Sequence, residues 1–125
     1  LLNKTMADKL KISKRSIKGY EFIDISGDIM VDGSKEIVKF VKKAALGRDK
    51  DLYLNFDGVR HVNSSALSLI LQLVRDLSGK KINILLMNVN ERVMGLIKIA
   101  GLHNFFKFVS DEAALIDKID KEIKT

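Results

Sequence analysis

The chain has no cysteine, no proline and no tryptophan, and only two histidines, His61 and His103, in 125 residues. Without cysteine there is no disulfide framework, no thiol nucleophile and no thiolate metal site, and two histidines alone do not make a metal cluster. No apolar run approaches the roughly 18 residues of a membrane span, and the basic N-terminus lacks the apolar stretch of a signal peptide, so the sequence reads as a cytoplasmic protein with no transmembrane segment. The phosphate-cradling Gly-x-x-x-x-Gly-Lys motif is missing, since Gly79-Lys80-Lys81 precedes a strand instead of following one. So is the Gly-x-Ser-x-Gly elbow of serine hydrolases.

What is present is ordinary globular composition. Hydrophobic residues make up 46% and charged residues 30%, enough for one compact domain that buries roughly two thirds of its surface. The net charge is +6, but the first 20 residues alone carry Lys4, Lys9, Lys11, Lys14, Arg15 and Lys18 against Asp8. The body is therefore nearly neutral and has no basic stripe, which argues against specific nucleic-acid binding. Residues 1–9 read as a basic N-terminal extension, with Met6 a candidate start preceded by added residues, and 10–125 as the folded domain.

Two β-prone runs, Leu10 to Ser16 and Tyr20 to Ser26, flank Lys18-Gly19 and predict a hairpin whose second strand ends at Gly27-Asp28. Ser34 is a candidate cap for a helix with Ile37, Val38, Val41, Ala44 and Ala45 on one face and Lys35, Lys39, Lys42 and Lys43 on a solvated one, stopping near Gly47. Leu52, Leu54 and Phe56 alternate with Tyr53 and Asn55 as a strand, and Ile82 to Met87 reads as a strand covered on both faces. Between them, Ser65 to Leu77 is apolar on all but a narrow stripe of Ser65, Ser68, Gln72 and Arg75, so that helix must be largely buried. Asn90 caps a further helix ending at Gly101, Phe108-Val109 is a short strand, and Leu115, Ile119 and Ile123 line a last helix. His103 and the phenylalanines Phe105, Phe106 and Phe108 are expected to pack into the core or at its edge.

The order is thus ββαβαβαβα: an α/β fold of one domain, with a mixed sheet, an opening antiparallel hairpin, the remaining strands parallel, and about four covering helices. In such sheets sites gather where strands end and helices begin. The richest junction is Asp57-Gly58-Val59-Arg60-His61-Val62-Asn63-Ser64-Ser65-Ala66. Asn63, Ser64 and Ser65 are all good N-cap residues, which allows two readings: a cap with an adjacent turn, or an exposed hydroxyl whose phosphate would be stabilised by helix amides. Catalysis by Asp57, His61 and Ser64 lacks a base at an adequate position, so the chain reads as a non-enzyme that needs no cofactor.

Order and junction together resemble the STAS domains (sulfate transporter and anti-sigma factor antagonist), over about Leu10 to Ile123. Three stretches carry the resemblance. Ile25-Ser26-Gly27-Asp28 looks like the family's strand ending before its first helix. Leu52 to Asp57, continuing through Val62-Asn63-Ser64-Ser65-Ala66-Leu67, is similar to its strand, loop, Asp-Ser-Ser/Thr-Gly, helix signature. Ile99-Ala100-Gly101-Leu102 with the phenylalanines after it matches the close of its third helix. Most similar are stand-alone bacterial anti-sigma factor antagonists. That resemblance implies phosphorylation of Ser64 by a partner anti-sigma factor with serine kinase activity and reset by a serine phosphatase. It also implies docking through Asp28, Asn63, Ser64, Ser65, Ala66 and Ser68. Asn63 stands in place of the signature's acidic residue and Ala66 in place of its glycine. The alternative within the same fold is a non-switching scaffold or accessory subunit, for example of a lipid-transport ABC complex.

Overall fold

The computed structural model describes residues 9–110 and 112–124. Strands β1 (Lys11–Ile17) and β2 (Tyr20–Ile29) are joined by a two-residue turn with φ of 52° at Lys18 and 84° at Gly19. Two positive φ values in succession match the right-handed twist of a hairpin, and glycine adopts its share without strain. The chain continues as α1 (Val31–Ala45), β3 (Leu52–Val62), α2 (Ser64–Ser78), β4 (Ile84–Met87), α3 (Glu91–Ile99), a 3-10 turn at His103–Phe105, β5 (Lys107–Val109) and α4 (Glu112–Lys124). The five strands lie in sequence order, β1-β2-β3-β4-β5, with β1 antiparallel to β2 and the rest parallel. The ββαβαβαβα order and the mixed sheet are those expected from the sequence.

Because the sheet grows in one direction, α1, α2 and α3 share one face. Alternation along each strand sorts the core: Ile23, Ile25, Leu52, Leu54, Ile84 and Leu86 meet these three helices, while Phe22, Tyr53 and Met87 point the other way, toward Leu115 of α4. The buried carboxylate of Glu21 is matched by Arg48 at 2.8 Å and Lys14 at 3.4 Å.

Several boundaries differ from expectation. α1 starts at Val31 with Met30 at its N-cap, so Ser34 is not the cap; it is buried one turn in, its hydroxyl donating to the Val31 carbonyl at 2.6 Å. β2 runs through Gly27-Asp28 to Ile29, with Gly27 at φ 100°. β3 reaches Val62, so the stretch from Asp57 to Val62 is strand and not loop. Pairing shows why: one extra β3 residue is inserted opposite Asp24 to Ser26 and another opposite Gly27 to Ile29. These bulges space the buried residues Phe56, Val59 and Val62 three apart, which erases the two-residue alternation that marks a strand. Phe106 is buried, but Phe105 is 52% exposed, its ring under the Arg75 guanidinium at 5.3 Å, and His103 is also exposed. The side chains of Ile119 and Ile123 lie outside the described residues.

Candidate functional site at the start of the buried helix

Asn63 is the N-cap of α2, with φ −72° and ψ 142°, and its Oδ1 accepts from the amides of Ser65 at 2.8 Å and Ala66 at 3.3 Å. Its own amide donates to the Ile29 carbonyl at 2.9 Å, which ties the start of α2 to the end of β2. One side chain thus does the whole capping task and leaves Ser64 and Ser65 exposed at the helix entrance. The Ser64 carbonyl accepts from the Ser68 hydroxyl at 3.3 Å, one turn on and also exposed. Behind them Ala66 is 0% exposed. Its methyl therefore packs into the core beneath the exposed serines. Asp28 is half-buried on β2, one residue before the Ile29 that holds Asn63.

A groove of about 620 Å³ opens beside Ser64. One wall is His61, Val62, Asn63 and Ser64; the other is α3, contributing Glu91, Arg92, Val93, Gly95, Leu96 and Ile99. Asn90 sets the second wall: its Oδ1 caps α3 at the Val93 amide and its Nδ2 donates to the Val59 carbonyl, both at 2.8 Å. The sequence marks Asn90 as a cap, but the tether to β3 depends on a bulged strand that local patterns do not reveal. Two helix N-termini, with their positive dipole ends, consequently border one groove. Of its apolar lining Ile99 is 88% exposed, and Met30, next in sequence to the Ile29 that holds Asn63, is 47% exposed. The sequence did not mark either as exposed, because apolar residues at the ends of helices look like core positions.

Among the described residues, Asp57, His61 and Ser64 make no hydrogen bond to one another; the Asp57 amide instead donates to Asn55 Oδ1 at 3.1 Å. No group of three metal-ligating side chains occurs among the described residues, and no helix of the described residues is long and apolar enough to cross a membrane.

A five-stranded mixed sheet with three helices on one face and one on the other is the STAS architecture. The chain belongs to the STAS domain family, matching it over residues 11–115. It is similar in structure to an anti-sigma factor antagonist from Mycobacterium paratuberculosis, with a TM-score of 0.76, 14% identity, and 90% of this chain and 96% of the other covered. Similar too is the anti-sigma factor antagonist SpoIIAA in its unphosphorylated form, with a TM-score of 0.69, 18% identity, and coverage of 89% and 97%. The phosphorylated form of the Bacillus cell fate determinant SpoIIAA gives 0.64 at 18% identity, over 89% and 99%. At such identities the likeness is one of fold. No curated protein matches the chain.

Proposed function

We propose that this protein is an anti-sigma factor antagonist, a cytoplasmic binding module without enzymatic activity of its own, switched by phosphorylation of Ser64. The observation that carries the reading is the division of labour at the start of α2: Asn63 supplies the cap, so the Ser64 hydroxyl stands exposed and has no structural task among the described residues. A phosphate there adds about −1.5 to −2 charges next to helix amides that stabilise it, so the fold tolerates the modification. A partner covering the same groove has to desolvate that charge, and an unpaired buried charge costs on the order of 3 to 5 kcal/mol, a hundredfold or more in affinity. Phosphorylation therefore releases the partner without unfolding the domain.

The partner is an anti-sigma factor with serine kinase activity, and a serine phosphatase resets the switch. Asp28, Asn63, Ser64, Ser65 and Ser68 form the polar part of the docking surface, and Met30 and Ile99 its apolar anchors. Both departures from the family signature are compatible with this role: Asn63 keeps the cap as a neutral side chain, and the Ala66 methyl is accommodated in the core. The test is intact mass after incubation with the co-purified partner and magnesium-ATP, followed by binding of each form. A single phosphate lost in Ser64→Ala, with weakened binding by Ser64→Asp, is the expected result. No phosphate on Ser64, together with wild-type affinity of Ser64→Asp, sinks the switch and leaves the non-switching scaffold.

A further inference from the structure

The end of the molecule away from Ser64 carries a charge that no single stretch of sequence shows. β3 ends and α2 begins at the Ser64 pole, so in this parallel arrangement the links from helix to strand collect at the opposite one. Three segments meet there: the β1-β2 turn at Lys18-Gly19, the link from α1 to β3 at 46–51, and the link from α2 to β4 at 79–83. Arg48 ties the first two together, its Nη2 donating to the Gly19 carbonyl at 3.2 Å. The Asn83 amide ties the last two, donating to Asp51 Oδ1 at 3.1 Å.

Lysine dominates this pole. Lys18, Lys43, Lys50, Lys80 and Lys81 are all exposed. The carboxylates here are mostly engaged: among the described residues Glu21 pairs with Arg48 at 2.8 Å, Asp76 with Lys42 at 3.7 Å, and Asp51 takes the Asn83 amide, which leaves the exposed Asp49 as counterweight. At the Ser64 pole the signs are mixed instead, with Asp32 and Glu36 near Lys35, and Glu91 next to Arg92.

Among the lysines stands an apolar group. Leu46, the C-cap of α1, is 77% exposed, and Gly47 after it, at φ 72°, faces open space, with nothing within 4 Å of where a Cβ would be. Beside Leu46 a cleft of about 600 Å³ has Ala45, Leu77 and Ile82 as its floor and Lys42, Arg48 and Lys80 on its rim. An apolar centre inside a basic rim matches a surface that is negative outside and apolar a few ångströms deeper. A nucleic acid would satisfy the lysines but leave the leucine nothing to bury against, whereas a bilayer satisfies both. Lysine, a point charge without the planar fork of arginine, also suits a diffuse field of headgroups.

We infer that this pole is a docking surface for an anionic lipid bilayer, with Leu46 entering the headgroup layer and the lysines of the three segments lying over the negative headgroups. Ser64 then points away from the lipid, and attachment holds whether or not that residue is a switch.

The test is sedimentation of the chain with phosphatidylcholine vesicles containing about 30% phosphatidylserine, against vesicles of phosphatidylcholine alone. Binding is expected to the first and not to the second, and is lost at about 0.5 M salt. Each basic residue near such a surface is worth about fivefold in affinity, and a reversal also adds a repulsion, so Lys43→Glu with Lys80→Glu should weaken binding about a hundredfold or more. Leu46→Gln, an exposed change at constant charge, should weaken it about tenfold. Lys11→Glu with Lys35→Glu makes the same change in net charge at the Ser64 pole and should leave binding within about threefold. No binding to the phosphatidylserine vesicles, or equal losses from the two double reversals, overturns the proposal. So does unchanged binding by Leu46→Gln together with equal affinity for a DNA duplex, which would make the pole a general polyanion surface.

Discussion

Under α1, α2 and α3 the sheet buries a continuous set of side chains that includes Ile23, Leu54, Phe56, Leu67, Ile70 and Leu73, each at 1% exposure or less. Under α4 it buries Phe22, Tyr53 and Met87 against Leu115, with Arg15 clamped between Asp24 and Glu112 at the edge. Each fully buried side chain of this size contributes roughly 1.5 to 3 kcal/mol, so among the described residues the first face carries the larger share of the burial. Ser64, the residue proposed to carry the switch, sits at the rim of the face with the larger core, at the start of the buried α2.

The sharpest way to break this contrast is a cavity on each side. Leu73→Ala should cost about 2 to 5 kcal/mol in urea denaturation, whereas Leu115→Ala should cost less and act mainly on exchange in α4. Equal losses would show that the two faces are one cooperative unit. Next in size is the bulge that carries β3 to the site. A Cβ at Gly58 would lie 2.5 Å from the Ser26 Cβ and 3.1 Å from its Cα, so Gly58→Ala should cost about 1 to 3 kcal/mol and shift the chain leading to Asn63, visible as amide chemical-shift changes from Val59 to Ser65. Asn63→Ala removes the α2 cap at a cost of about 1 kcal/mol, while Asn63→Asp, which can still accept, should stay close to wild type.

The clamp makes a pH prediction. Asp24 lies below the usual carboxylate value of 3.8, chiefly because Arg15 hydrogen-bonds its ionised form and secondarily because Asn55 does, with burial opposing. A lowered folded-state pKa stabilises the fold above the unfolded value, and that contribution is lost as the pH falls through the folded one. The stability difference between wild type and Arg15→Met should therefore be full at about pH 6 and shrink toward about pH 3. A gap that stays constant across that window would remove the clamp from the account. The smallest effect belongs to the site itself: Ser64→Asp should leave stability within about 0.5 kcal/mol, since a negative charge at a helix N-terminus is tolerated. A large loss there would show that Ser64 is structural.

Much of the fold was legible because its elements carry strong local patterns. The apolar run of α2 requires burial, and alternation from Leu52 to Phe56 requires a strand with two different faces. The capping role of Asn90 was readable for the same reason: it depends on the next three residues only. Illegible were the features that depend on distant chain. Nothing near Ser34 says that α1 begins at Val31, because Met30 makes no side-chain cap and the helix is held by the packing of Ile37 and Val41. The strand from Asp57 to Val62 could not be seen either, since its bulges are set by register with β2.

By itself, then, the sequence determined the ββαβαβαβα order, the mixed sheet, the buried middle helix and the cluster of cap residues at its start, all of which follow from periodicity and capping within about one or two turns of chain. The tertiary structure decided which of those cap residues works and which stands free, that Ala66 faces inward, that Ile99 lines a groove between two helix starts, and that Arg15 and Glu112, 97 residues apart, pair across the fold. Those outcomes depend on strand register and on which side of the sheet each crossover returns, quantities fixed by long-range packing that no local pattern contains.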